Sequence, residues 1–462
     1  MTDNKSNNNK VNSAVDEKEQ PALRKALGVF DGIAILVGIT IGAGIFSTPQ
    51  IIAGYLGSFS IIIFLWIITG VLFVFGGGLI YAELGTRLPN TGGEYVYINR
   101  CFGPFAGFMF GWAQLFIIRT SPAAGLAIIT ANYLTHFVEL KQWTHTAVAL
   151  AVIAFFGVLN YIGIQRASVY QKISTVLKIG GIFALVILGL ILVQGHENML
   201  DTRAEPIGGL GSFGNAIAAL FLIAFSYIGW DRVGYVAGEM KNPRRTIPLS
   251  LILGLGAIII VYVLTNWVYH QTLGMEAMRQ STIVAADVAT QLMGPVGAAF
   301  VAILVMISTT GSINGTMMTA PRAYYAMAKD GLFFKWLNFV HPKFRTPSRA
   351  ILAHCLWAAV ILLVRKTFET IVAGMVFAIL IFLIFNILAL FKLRRQNVGG
   401  SSVFKVPFYP WLPILYLAGV IFLIVFRAYF EWQKSLADLA FIATGIPLSF
   451  LWIKKTKKKM DE

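Results

Sequence analysis

Charge is scarce in this sequence. Only 13% of its 462 residues are Asp, Glu, Lys or Arg, and 57% are hydrophobic. A soluble globular chain carries about 25% charged residues, so a soluble enzyme, a disordered protein and a nucleic-acid binder are excluded. Cysteine is nearly absent: Cys101 and Cys355 build neither a disulfide framework nor a zinc site. Of six histidines, His136, His145, His196, His270 and His341 fall at expected helix ends or in loops, and His354 alone enters a span. No metal site or proton relay is expected from them. There is no nucleophile–base–carboxylate set and no phosphate loop, which argues against an enzyme and an ATP-driven pump. No cofactor is expected. An apolar leader is also missing: Met1–Gln20 is polar and rich in Asn and Lys, reads as a disordered tail, and leaves insertion to the first span.

What the sequence does have is long apolar runs. A spanning helix needs about 20 mostly apolar residues. From Gly32 to Ala82 no charged residue occurs, enough for two spans with a turn at Gly54–Ser58. The same reading places spans near 30–54, 59–82, 104–136, 145–164, 171–193, 213–237, 247–270, 295–325, 349–364, 368–391, 411–427 and 436–453. With the N-terminus inside, 27 of the 37 Lys and Arg fall in inner segments, 7 in outer loops and 3 within spans. That asymmetry predicts a multi-pass protein with both termini cytoplasmic. No N-x-S/T sequon falls in an expected outer loop, so a bacterial plasma membrane is the expected location.

Two spans are interrupted at mid-depth. The first contains Gly38, Gly42 and Gly44 within seven residues. Each glycine costs about 1 kcal/mol against alanine in a helix. A break there strands backbone groups that lipid cannot pair, and its new helix N-terminus attracts a carboxylate. Close helix packing stays open as the alternative, because Gly38 and Gly42 also form G-x-x-x-G. The sixth span is interrupted by Phe225–Ser226–Tyr227–Ile228–Gly229–Trp230–Asp231–Arg232. Asp231 and Arg232 are costly at depth unless they pair or face a cavity. Interrupted helices in corresponding positions of two halves mark the binding site of a secondary transporter.

Arg119 and Lys178 are the other intramembrane cations. Lys178 lies about two turns into its span and either snorkels or has a functional role. Arg119 stands beside Ser121–Pro122, where the proline frees a carbonyl that the guanidinium could bond.

The chain resembles the L-amino acid transporter family of the amino acid–polyamine–organocation superfamily from about Leu27 to Trp452. The resemblance is carried by IGAGIF at Ile41–Phe46, YAELG at Tyr81–Gly85, GGEYVY at Gly92–Tyr97 and IIR at Ile117–Arg119. FSYIGW at Phe225–Trp230, GEMKNPRRTIP at Gly238–Pro248, GSINGT at Gly311–Thr316 and RAYYAMAKDG at Arg322–Gly331 complete it. The resemblance implies an all-α polytopic membrane protein with a LeuT-like fold. Twelve transmembrane helices would form a 5+5 inverted repeat plus two, with helices 1 and 6 unwound. The first repeat would occupy 28–194 and the inverted second repeat 210–392, with two further helices at 411–454. The tails at 1–27 and 455–462 would be cytoplasmic.

The resemblance further implies sodium-independent exchange of small neutral L-amino acids such as alanine, serine and cysteine by alternating access. The substrate carboxylate would meet the N–H groups of Ala43, Gly44 and Ile45. The ammonium would meet carbonyls of Ile39, Phe225, Ser226 and Ile228, with Phe225 as the gate. Lys178 would stand where sodium-coupled relatives hold an ion, coupling conformations without a metal. The outer loop Thr135–Thr144 lacks the cysteine through which animal members bind a glycoprotein subunit, so no disulfide-linked heavy subunit is expected. Ile228 is bulky where relatives with large substrates often hold a small residue, which implies a smaller pocket. A proton-coupled or cationic amino acid transporter, and a non-transporting amino acid sensor, are the alternatives. The pocket segments offer no unpaired carboxylate for a cationic side chain, and tails of about 30 and 10 residues are too short for a signalling domain.

Overall fold

The computed structural model describes residues 23–192, 211–281, 283–365, 375–430, 432–450 and 452. The helices are α1 (Val29–Thr40), α2 (Gly44–Ser47), α3 (Pro49–Tyr55), α4 (Phe59–Arg87), α5 (Glu94–Leu134), α6 (Gln142–Tyr161) and α7 (Ile164–Leu192). There follow α8 (Gly211–Ser226), a 3₁₀ stretch at Trp230–Glu239, α9 (Pro243–Gln280), α10 (Val284–Met293) and α11 (Pro295–Lys329). The last are α12 (Ser348–Arg365), α13 (Met375–Arg395), α14 (Trp411–Phe430) and α15 (Trp432–Ala443). No strand forms among the described residues; one isolated bridge joins Leu27 to Met240.

Ten helical stretches among the described residues are long and apolar enough to cross a bilayer. Shorter apolar helices at Ser348–Val364 and Asp438–Phe450 fall on the remaining two expected spans. Of the expected turn at Gly54–Ser58, Leu56–Ser58 connect α3 to α4, while Gly54 and Tyr55 still belong to α3. The expected span limits at 193, 368 and 453 lie outside the described residues. The body begins before residue 28: Leu27 is buried, and Ala26, Leu27 and Lys241 exchange backbone hydrogen bonds of 2.9–3.0 Å between the 26–27 segment and Glu239–Lys241.

The third span, expected from residue 104, begins earlier: α5 reaches back to Glu94 across a kink at Gly103 (φ +83°), just before Pro104. Residues 94–102 form a helical turn set before the kink, which brings Glu94 into the protein interior. Lower in α5 the helix widens into π turns at Gln114–Ile118, and the Arg119 N–H reaches Gln114 O at 3.0 Å. Pro122 has no N–H to give the carbonyl four residues back, and a widened turn absorbs such a defect.

Large apolar side chains such as Phe64, Phe155, Phe213, Val364, Trp411 and Tyr429 stand exposed. In water such surfaces would drive aggregation; here they match a hydrocarbon solvent. The core lies where α1 packs against α7, α9, α11 and the 3₁₀ stretch. Both broken spans are therefore enclosed by helices. At helix ends, charges pair: Glu83 with Arg87 at 2.6 Å and Arg394 at 3.0 Å, Glu239 with Arg322 at 2.7 Å, and Asp31 with Lys172 at 3.1 Å.

Candidate functional site

The first span unwinds at Ile41–Ala43, between α1 and α2. Its stranded carbonyls lie within reach of donors. Lys178 Nζ donates to Gly38 O at 2.9 Å, Ile41 O at 2.7 Å and Ser308 O at 2.9 Å. Ser308 Oγ donates to Ile41 O at 2.7 Å and lies 3.3 Å from Gly42 O. Ser312 Oγ is 3.0 Å from Gly38 O and 3.2 Å from Ile39 O. The Tyr262 hydroxyl lies 2.9 Å from both Thr40 O and Ser226 O, so one proton is shared between the two breaks. The N–H groups of Ala43, Gly44 and Ile45 receive no such match: none donates to an acceptor among the described residues. The break thus has its negative ends neutralised and its positive ends open, a donor cluster suited to an anionic group.

The sixth span ends its α-helix at Ser226 and resumes at Trp230 as 3₁₀. Gly229 turns the chain with φ +128°, and a Cβ there would lie 3.1 Å from Thr40 N. This is a close backbone approach between the breaks that a side chain would obstruct. Gly44 lies equally close on the other side: its Cβ would stand 3.0 Å from Ser226 Cα. Thr48 Oγ1 and Ser226 Oγ, 2.8 Å apart, tie the second half of span 1 to the end of α8.

Both readings of the span-1 glycines hold, for different residues. Gly38 is a packing glycine, with Gln171 Nε2 2.0 Å from where its Cβ would be. Gly42 lies in the break, and Gly44 opens α2.

A cavity of ≈ 70 Å³ lies between the breaks. Ile39, Ala43, Gly44, Phe225, Ser226 and Ile228 line it, joined by Thr40, Gly42, Pro122, Leu126, Arg232, Ser312, Thr316 and Met375. Ile45, expected with them, is fully buried and absent from the wall. A second cavity of ≈ 40 Å³ lies behind Ile228, with Glu94, Asp231, Phe73 and Leu380 on its wall. Ile228 belongs to both and separates them.

Lys178 does not snorkel. It is fully buried, and its three N–H bonds hold α7 to α1 and α11. Arg119 bonds no proline-freed carbonyl: it joins a polar cluster instead. Its guanidinium pairs with Asp231, with Glu94 at 3.1 Å and with the Tyr235 hydroxyl at 3.1 Å, and donates to Gln114. Glu94 also accepts from Tyr81 at 2.5 Å, Tyr235 at 2.6 Å and Asn386 at 2.8 Å. Glu94, Asn386, Ser308 and Ser312 are functional candidates that reading the sequence missed. The signal for Glu94 was weak because it precedes the apolar run of its span. The signal for Ser312 lay in GSINGT, and Ser308 sits four residues before it on the same helix face.

No group of three or more His, Cys, Asp or Glu arranged to hold a metal ion occurs among the described residues. Cys101 and Cys355 are both free.

A polytopic α-helical body with two apposed helix breaks around an interior cavity defines a membrane transporter of the LeuT-fold class. The amino acid permease family model matches residues 27–449, and the chain belongs to that family. It is 30% identical over 409 residues to the serine/threonine exchanger SteT of Bacillus subtilis (strain 168), covering 88% of this chain and 92% of that one. It is 29% identical over 444 residues to the human b(0,+)-type amino acid transporter 1, covering 95% and 90%. The mouse Asc-type amino acid transporter 1 is 29% identical over 448 residues, covering 95% and 84%. The chain is accordingly a transporter and not an enzyme.

Proposed function

We propose that this chain is a sodium-independent exchanger of small neutral L-amino acids, such as alanine, serine and cysteine, working by alternating access in a bacterial plasma membrane with both termini cytoplasmic. The observation that carries the reading is the asymmetry of the span-1 break. Its carbonyls are bonded, while Ala43, Gly44 and Ile45 keep N–H groups for a ligand carboxylate. Ile39, Phe225, Ser226 and Ile228 supply carbonyls around the ammonium, using the second lone pair where Ser312, the Ile228 N–H and Tyr262 already hold the first, and Phe225 gates the cavity. Ile45 contributes through its backbone alone, since its side chain points away from the wall.

Lys178 supplies a fixed positive charge to the break, which removes the need for a coupling cation there. Ile228 closes the cavity against large side chains. The names of similar proteins, a serine/threonine exchanger and an Asc-type transporter among them, support amino acids as the cargo and exchange as the mode. Twelve spans in two inverted repeats, at 28–194 and 210–392 with two further helices at 411–454, complete the architecture. No disulfide-linked heavy subunit takes part.

The test is counterflow in proteoliposomes. Labelled L-alanine is offered outside, with unlabelled amino acid or buffer inside, and with sodium or choline as the cation. Uptake that depends on internal amino acid and ignores sodium is the expected result. Uptake into empty vesicles driven by a proton or sodium gradient, or preferential exchange of L-lysine, would replace this reading with a coupled or cationic transporter.

A further inference from the structure

We propose that Arg232 is a specificity-determining residue that makes the site prefer a short side chain ending in an uncharged oxygen acceptor, a hydroxyl or a carboxamide, over an apolar side chain of the same size, while alanine, which is smaller, is still exchanged. The proposal rests on the amino acid exchange argued above and adds the chemistry of the side chain.

Arg232 lines the cavity between the helix breaks and is only 2% exposed. It carries five N–H donors, yet among the described residues its one ion pair is a single long contact, Nε to Asp231 Oδ1 at 3.3 Å. Its Nη1 is buried and has no hydrogen-bond partner among the described residues. The neighbouring carboxylates are committed elsewhere. Asp231 is taken by Arg119, and Glu94 by Arg119, Tyr81, Tyr235 and Asn386. On the same wall the Thr40 hydroxyl is also buried and has no partner among the described residues. A buried donor without an acceptor is costly, and a ligand oxygen that reaches Arg232 Nη1 or the Thr40 hydroxyl would satisfy it.

Charge decides which oxygen. Arg119 and Arg232 balance Glu94 and Asp231, so the formal charges of the cluster cancel. A side-chain carboxylate would bring an unbalanced charge into a buried cavity, whereas a neutral hydroxyl or amide oxygen would not. A site built to bond an oxygen discriminates strongly against the isostere that lacks it, because its own polar groups are then left unpaired.

The test uses the full chain in proteoliposomes exchanging labelled L-alanine. L-Serine and L-2-aminobutyrate, alike in shape with a methyl in place of the hydroxyl, are compared as competitors. The wild type is expected to favour L-serine at least tenfold. Arg232→Met should bring the ratio within threefold, and Arg232→Lys should restore part of it. A wild-type ratio near one overturns the proposal without needing any variant, as does an undiminished ratio in Arg232→Met. L-Aspartate competing better than L-serine would overturn the assignment to neutral side chains. Failure of the wild type to exchange any amino acid would refute the transport reading itself; exchange with a flat ratio refutes this inference alone.

Discussion

Replacing Lys178 with alanine removes three hydrogen bonds from a buried ammonium, those to Gly38 O, Ile41 O and Ser308 O. Hydrogen bonds to a charged group contribute about 1.5–3 kcal/mol each, so the gross loss is roughly 5–9 kcal/mol. Two features reduce it. No carboxylate is among the partners of Lys178, so deletion recovers a desolvation cost of several kcal/mol. Two serine hydroxyls can also serve two of the three carbonyls: Ser308 Oγ lies 2.7 Å from Ile41 O, and Ser312 Oγ lies 3.0 Å from Gly38 O and 3.1 Å from Ser308 O, with one proton to give. The net effect expected is about 1–3 kcal/mol, a factor of 5–150 in an equilibrium.

That energy acts on the span-1 break rather than on the whole fold. It should appear as a change in the balance of inward-open and outward-open states. The assay pairs exchange in proteoliposomes with labelling of a single introduced cysteine from either side, after replacement of Cys101 and Cys355. Exchange should fall, and apparent affinity should change differently on the two faces. Lys178→Met, which keeps more of the side-chain volume, should behave like Lys178→Ala if charge is the cause. Parental exchange and accessibility in both variants would refute the reasoning, and so would a strict sodium requirement in the wild type.

Other substitutions probe the remaining parts. Gly44→Val places a branched side chain where a Cβ alone would meet Ser226 Cα at 3.0 Å, so exchange should drop at least tenfold (about 1.4 kcal/mol) in protein that still folds; normal uptake would make Gly44 a mere packing residue. Ile228→Gly removes the wall between the ≈ 70 and ≈ 40 Å³ cavities. It should admit L-leucine in a graded way, since each methylene is worth about 1–3 kcal/mol, and an unchanged order of competitors would contradict this. Glu94→Gln weakens the buried cluster with Arg119 and should cost about 3–5 kcal/mol of stability, read as earlier thermal unfolding in detergent. Tyr262→Phe removes the hydroxyl shared by Thr40 O and Ser226 O; a loss of about 1–3 kcal/mol at the breaks should slow exchange, and unchanged turnover would show that the bridge is dispensable.

The sequence alone determined the all-helical membrane architecture, because hydrocarbon accepts only long apolar helices and their charges collect in short loops. It also marked where both breaks could fall, since glycines at mid-depth and the Asp231–Arg232 pair are costly there without a compensating partner, but it left close packing open for the span-1 glycines. The identity of those partners belonged to the tertiary structure. Lys178 meets Gly38 and Ser308, more than a hundred residues away on either side. Arg119 finds Glu94 through a kink at Gly103 and finds Asp231 through helix packing, not the carbonyl freed by Pro122. Ile228 became a partition only when the second cavity formed behind it, and Ile45 left the wall because α2 turns its side chain into the core. A cost of burial is local and can be read from one residue. Its compensation is a contact between distant segments, and only packing decides which segments meet.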